Sequence, residues 1–275
     1  MQRFDDPSAT FRHAGAMLRD WRHRRHLTQR ALASSTGLSL RALGTLETGR
    51  LLPSRDMVLR LAERLEVPLR DCNAILFAAG YDAPFAKGRL GDPMQMGVWT
   101  VVEQAMRAHT PHPVLALDRN WGIAASNDAL KGLIAGVEPG LLALSPNWAR
   151  IMLHPAGLAP RIVNLRDWRD HITLRLRRRF DASLDTDVAD LLEEMADFPE
   201  PPATAAVQPP DPIAVPLRLM TVDGLLSFYC VSSRFESAVD VALAELTIET
   251  LYPVDAETES IMRQQREVAR PATAG

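Results

Sequence analysis

Two cysteines in 275 residues, Cys72 and Cys230, cannot build a disulfide framework or supply a zinc cage by themselves. The expectation is two small buried hydrophobes. Lysine is nearly absent: of 31 basic residues only Lys87 and Lys131 are lysine, a mark of GC-rich coding sequence that bears on origin rather than mechanism. No apolar run reaches the roughly 18 residues of a membrane span. The start, MQRFDDPSAT, lacks the apolar core of a signal peptide. The expectation is a cytoplasmic protein with no membrane partner. Enzyme signatures are missing too: there is no GxSxG, HExxH, Walker loop or GxGxxG. Glu193 and Glu194 are adjacent, so on a helix they point apart. His154 and His171 stand 17 residues apart with no cysteine near either. No catalytic residue, metal or cofactor is therefore assigned, and the chain does not read as an enzyme.

What is present is ordinary soluble composition, 47% apolar and 24% charged, which excludes wholesale disorder. The length suits two domains of about 100–200 residues each. The net charge of −3 hides an asymmetry: residues 1–82 carry 13 Arg against 9 Asp and Glu, a net of +4, and the rest carries −7. A basic head on an acidic body is the pattern expected when one domain meets phosphate and the other does not.

Residues 1–82 read as five short helices. Phe11, Ala14, Leu18, Trp21 and Arg25 lie along one helical face. A short helix follows at Thr28–Ser35, then the break Thr36-Gly37-Leu38. A third runs from Ser39 to Thr48 and stops at Gly49. Ser54 caps a fourth, and a fifth covers Leu69–Ala79 and ends at Gly80. Residues 83–93 read as a linker. In residues 94–265, Met94–His109 is helical, Val114–Leu117 and Gly122–Ala125 form a hairpin, and helices cover Asp128–Ile134, Asn164–Phe180 and Ser183–Met195. Residues 199–212 read as a Pro-rich loop. Ile213–Thr221 and Leu225–Ser233 form a second hairpin around Val222-Asp223-Gly224. Ala242–Leu251 reads as a third strand, and 266–275 as a frayed tail. The fold class is an all-α five-helix N-terminal domain followed by an α+β C-terminal domain compatible with a PAS-like cup.

The strongest signal is Thr28-Gln29-x-x-Leu32-Ala33-x-x-x-Gly37-x-Ser39-x-x-x-Leu43-x-x-Leu46-Glu47-x-Gly49-Arg50. Leu32, Ala33, Leu43 and Leu46 are spaced to pack two helices together, and Gly37 permits the sharp turn between them. The exposed face of the second helix, Leu40, Arg41, Gly44 and Thr45, would lie in the major groove. This pattern resembles the lambda-repressor-like helix-turn-helix of the xenobiotic-response-element family of regulators. The resemblance implies that Leu40, Arg41 and Thr45 contact bases, with Gly44 permitting close approach. It implies that Gln29, Arg30, Thr48 and Arg50 contact the DNA backbone, and that Arg22 pairs with Glu47. The block Arg19, Arg22, Arg24 and Arg25 either adds phosphate attraction or forms a solvated face with one internal pair.

A second resemblance covers about 94–265. Val114-Leu-Ala-Leu-Asp-Arg-Asn-Trp121, Asn127, Asn147-Trp-Ala-Arg-Ile-Met-Leu-His-Pro155, Pro160-Arg-Ile-Val-Asn164 and Trp168 are similar to the MmyB-like C-terminal domain. That likeness implies a PAS-like fold with an apolar cavity for a fatty acid or similar lipophile. Leu144, Trp148, Met152, Ile162, Ile172 and Phe228 are the candidate wall. Arg150, His154 and Arg161 are the candidate polar end, where a carboxylate could be held. The alternative is that the apolar set fills the core and the arginines lie at the surface. The expected partners are a near-palindromic double-stranded DNA operator, a small lipophilic effector and a second copy of the chain. The competing reading is a C-terminal domain that only dimerises or binds a protein partner, with no ligand.

Overall fold

Side-chain oxygens set the helix starts of the N-terminal unit. Thr28 accepts from the Ala31 N–H and Ser39 from that of Ala42, each at 3.1 Å, and Ser54 accepts from Met57 at 3.3 Å. Gly37 and Gly49, at φ +71° and +69°, follow two of the helices in the left-handed region that favours glycine. The structure, a computed structural model, describes residues 7–85, 96–143, 145–183, 185–201, 214–235 and 240–269. The chain divides into two compact units, residues 1–89 with 236–244 and residues 90–235 with 245–275.

The first unit carries α1 (Pro7–Arg24), α2 (Gln29–Thr36), α3 (Leu40–Glu47), α4 (Arg55–Arg64) and α5 (Leu69–Ala78). The five helices share one core, in which Ala14, Leu18 and Trp21 of α1 join Leu32, Leu43, Leu46, Val58, Leu61, Ile75 and Leu76. Helix α1 crosses α3 at Gly15, where a Cβ would press into the Leu46 carbonyl oxygen, with Glu47 backbone also in contact range. Backbone cannot yield as a flexible side chain does. Gly15→Ala is therefore expected to destabilise this unit by about 1–3 kcal/mol, although alanine favours helices. A chemical-denaturation midpoint at or above the wild-type value would contradict the close crossing.

The second unit begins with α6 (Met96–Ala108), β1 (Val114–Leu117), β2 (Ile123–Ser126), α7 (Asp128–Leu133), α8 (Pro139–Leu142) and α9 (Trp148–Leu153). A 3-10 turn at Ala159–Arg161 leads into α10 (Leu165–Ser183) and α11 (Thr186–Ala196). Then come β3 (Leu217–Thr221), β4 (Gly224–Arg234), β5 (Thr247–Pro253) and α13 (Ala256–Ala269), while α12 (Val241–Glu245), between β4 and β5 in the chain, falls in the 236–244 stretch grouped with the first unit except for its last residue. All the strands pair antiparallel in the order β2-β1-β5-β4-β3. Leu115, Leu117, Leu217, Leu219, Leu226, Phe228 and Leu251 from the sheet share one apolar cluster with Trp148, Met152, Trp168, Ile172, Leu176 and Leu191 from the helices. Helices between two hairpins thus cover one face of the sheet, the expected α+β class.

The segment read as one strand from Ala242 divides. Val241–Glu245 is helical because Ala-Leu-Ala-Glu are strong helix formers and Asp240 Oδ1 accepts from Leu243 N–H at 3.0 Å. The strand starts at Thr247, where β-branched residues begin. Helix α13 continues to Ala269, four residues into the expected tail, and the remainder of the tail lies outside the described residues. Residues 86–93 of the expected linker and 202–212 of the expected Pro-rich loop also lie outside them. The second hairpin turns on Val222-Asp223, with Thr221 paired to Gly224 at φ +130°.

Candidate functional site

Helix α3 carries Leu40, Arg41, Gly44, Thr45 and, just past its end, Thr48, a spacing that keeps them on one side. Leu43 and Leu46 on the opposite side are fully buried. Leu40 is 44% exposed although apolar. Arg41, Thr48 and Arg50 are exposed, and Gly44 and Thr45 half-buried. A Cβ at Gly44 would stand 3.9 Å from Gln29 Oε1, so the start of α2 adjoins the middle of α3. Arg30 on α2 is exposed. The Thr45 and Thr48 hydroxyls donate to the Arg41 and Gly44 carbonyls at 2.7 and 3.0 Å, leaving their methyls free to turn outward.

Behind this face sits a buried charge network. Arg22 Nε and Nη2 donate to the two Glu47 carboxylate oxygens at 2.7 and 2.9 Å, and Arg22 Nη1 donates to the Leu27 carbonyl at 2.8 Å. The two side chains are 7% and 1% exposed. Gln29 Nε2 donates to Glu47 Oε2 at 2.8 Å, so one proton of its amide is held inside the domain. Burial pushes the Glu47 carboxyl up, but the Arg22 and Gln29 hydrogen bonds outweigh it and hold the group below the ordinary carboxylate range. The same pairing outweighs desolvation at Arg22 and raises its pKa. The arginine block of α1 therefore splits. Arg22 braces α3, and Arg25 donates to the Leu65 and Glu66 carbonyls at 2.8 Å, closing the end of α4. Arg24 lies over the Trp21 ring at 4.7 Å, and Arg19 stands exposed beside Asp20.

In the second unit, Trp148, Met152, Ile162, Ile172 and Phe228 all belong to the apolar cluster and are at most 5% exposed. Leu144 lies outside the described residues. The structure gives the three polar candidates other partners. Arg150 forms a half-exposed ion pair with Glu194, at 2.7–2.8 Å. Arg161 donates to the Met220 and Ala135 carbonyls at 3.3 and 3.0 Å. His154 Nδ1 accepts from the Ala156 N–H at 3.0 Å, with its ring edge-on to Phe198.

The buried polar centre of this unit lies elsewhere. Glu249 shares the inner face of β5 with Leu251 and is fully buried. Arg175 of α10 donates to its two oxygens at 2.8 and 3.1 Å and to Ser232 Oγ at 3.1 Å, while its guanidinium lies 4.6 Å over the Trp121 ring. Trp121 itself is held at φ +65°, a rare conformation for a bulky residue. Sequence reasoning missed this pair; its one signal was a glutamate in a β-branched strand. The quoted asparagines have structural work. Asn127 accepts from the Val114 and Leu130 N–H groups. Asn147 accepts from Ala149 and Arg150 and donates to the Asn120 carbonyl. Asn164 bridges Pro216 and Arg218. Among the described residues no group of three or more His, Cys, Asp or Glu is arranged to hold a metal, and no helix is long and apolar enough to cross a membrane. Burial pushes both thiols up, that of Cys230 well above the ordinary value, so neither is poised as a thiolate.

Two domain families account for the capped helix pair and for the separate α+β unit, and together they make the chain a DNA-binding regulator with a ligand-binding domain. The helix-turn-helix domain family matches residues 13–73, and the family described as MmyB-like transcription regulator ligand binding domain matches residues 98–264. The chain belongs to the MmyB-like transcription regulators. Comparison of the sequence with curated proteins gave no match.

Proposed function

We propose that the protein is a repressor that binds a near-palindromic operator as a homodimer and releases it on taking up a small lipophilic, fatty-acid-like effector. In this reading residues 1–82 bind DNA, and 94–265 hold the effector and the dimer contacts. The observation that carries it is the exposed α3 face joined, in one chain, to a ligand-binding domain built around an apolar cluster. A single helix-turn-helix makes few contacts, and two of them about one helical turn apart on a two-fold axis read a palindrome. Helix α6, with Val101 41% exposed, and the 242–265 segment are the leading dimer elements. Arg41 reads guanine, while Gln29, Arg30, Thr48 and Arg50 set the register on the backbone.

Two measurements test this. Arg41→Ala is expected to lower operator affinity by about 1–3 kcal/mol and relax preference at one base pair of each half-site. Arg50→Ala is expected to weaken specific and random DNA alike and flatten the salt dependence by about one unit of slope. Equal losses on both DNAs for Arg41→Ala would remove it from the base-reading set. Light scattering on the full chain, and anisotropy of the operator complex titrated with tetradecanoate, check dimer and effector. A monomer with intact operator affinity, or a complex indifferent to every lipophile tried, contradicts the corresponding part.

A further inference from the structure

Two glycines stand inside helices of the first unit, and internal packing accounts for only one of them. At Gly15 a Cβ would press into the Leu46 carbonyl oxygen. At Gly44 the nearest atom to a Cβ is Gln29 Oε1 at 3.9 Å, an ordinary van der Waals contact. Alanine would fit there and would favour the helix. Gly44 therefore leaves bare backbone in the middle of the outward side of α3, at a cost in stability that nothing within the domain returns. The side chains around it hold few groups able to read a base edge. Leu40, 44% exposed, has no polar atom. The Thr45 hydroxyl donates to the Arg41 carbonyl at 2.7 Å, and that of Thr48 to the Gly44 and Thr45 carbonyls at 3.0 Å. Ser39 Oγ accepts from the Ala42 N–H as the helix cap. Among the described residues, the Arg41 guanidinium is the one side-chain donor group on α3 not already bonded within the domain.

That inventory restricts the sequence the face distinguishes. In the major groove guanine presents two acceptors, O6 and N7, which suit an arginine, and thymine presents a C5 methyl that suits an apolar contact. Resting on the reading of this face as the operator-binding one, we propose that α3 reads one guanine through Arg41 and otherwise reads thymine methyls, through the Leu40 side chain and the Thr45 methyl. Bare backbone at Gly44 lets the helix settle deep enough for these short side chains to reach. The class of DNA is a half-site in which a guanine stands beside thymines.

The test uses duplexes enriched from a random-sequence pool by the full chain, with binding read by fluorescence anisotropy. Each thymine of the half-site is replaced in turn by deoxyuridine, which pairs identically and lacks only the C5 methyl. The wild type is expected to lose about fourfold in affinity at each of two or more thymines, the worth of one buried methyl group. Thr45→Ser, which keeps the hydroxyl and removes the methyl, should erase the difference between thymine and uracil at one position. Thr45→Val, which keeps a methyl and removes the hydroxyl, should retain it. Leu40→Ala should erase it at another position. Gly44→Ala is expected to melt higher than the wild type and to bind the selected duplex about tenfold more weakly. The uracil comparison needs no variant, so it stands even if one fails to fold. Wild-type protein indifferent to uracil at every thymine would overturn the proposal. A Thr45→Ser protein that keeps every thymine preference, or a Thr45→Val protein that loses one, would overturn the role of the Thr45 methyl. Undiminished binding by Gly44→Ala would overturn the close approach. If the pool yields no preferred sequence, the operator-binding reading itself falls.

Discussion

Glu47→Ala is expected to cost the N-terminal unit about 3–5 kcal/mol, the toll of stranding a buried charge. The carboxylate takes three donors, two from Arg22 and one from Gln29, and its removal leaves the buried Arg22 guanidinium with the Leu27 carbonyl and the His23 ring nitrogen but no opposite charge. Small domains are stable by about 5–15 kcal/mol, so the loss should lower the melting temperature by more than about 10 °C. Arg22→Leu should cost about as much, because Glu47 is then the stranded partner. The double variant Arg22→Leu with Glu47→Leu should lose far less than the sum, since a buried pair exchanged for apolar side chains is often neutral. The folded-state pKa of Glu47 lies below its unfolded value, so its contribution is complete above the unfolded carboxylate pKa of about 4.3 and is lost as pH falls through the folded one. Glu47→Gln should remove that acid-side slope. Additive single variants in denaturant melts, or an unchanged acid slope, would show that the network contributes nothing.

The Arg22–Glu47 pair of that network was legible through the family resemblance, which carries both positions, whereas the Gln29 donor was not, because the same resemblance sets Gln29 on the DNA backbone. The cap Ser54 is a one-residue signal written into the chain. Gly15 was not legible: a glycine inside a helix gives no hint of the backbone it will meet until the crossing of α1 and α3 is known. In the ligand domain the hairpins could be read from alternation and turn residues, but the start of β5 could not, because Val241–Glu245 is apolar enough to pass for strand. The partners of the polar candidates could not be read at all: those of Arg150 and Arg161, Glu194 and the Met220 and Ala135 carbonyls, come from distant parts of the chain. Glu249 gave no signal beyond its place in an alternating strand; alternation sets it with Leu251, and only Arg175, 74 residues away, accounts for it.

Arg175→Met is expected to be the most damaging single change in the ligand-binding unit, at about 3–5 kcal/mol. Two contacts go together: the paired hydrogen bonds to Glu249 and the stacking on Trp121, the latter contributing about 0.5–2 kcal/mol. The partners are not equivalent. The Arg175 side chain is 23% exposed and can draw on water, whereas Glu249 is wholly buried, so stranding the glutamate should cost more than stranding the arginine. Glu249→Gln, which keeps an acceptor for Arg175, should therefore fall below Arg175→Met. The double variant identifies the mechanism. Exchanging both partners at once, Arg175→Met with Glu249→Leu, leaves neither charge stranded, and a buried pair replaced by apolar side chains of similar volume is often neutral. The double variant should therefore lose far less stability than the sum of Arg175→Met and Glu249→Leu alone. Strictly additive losses in denaturant melts would mean that the two groups do not depend on each other, and that the pair is not the buried centre of this domain.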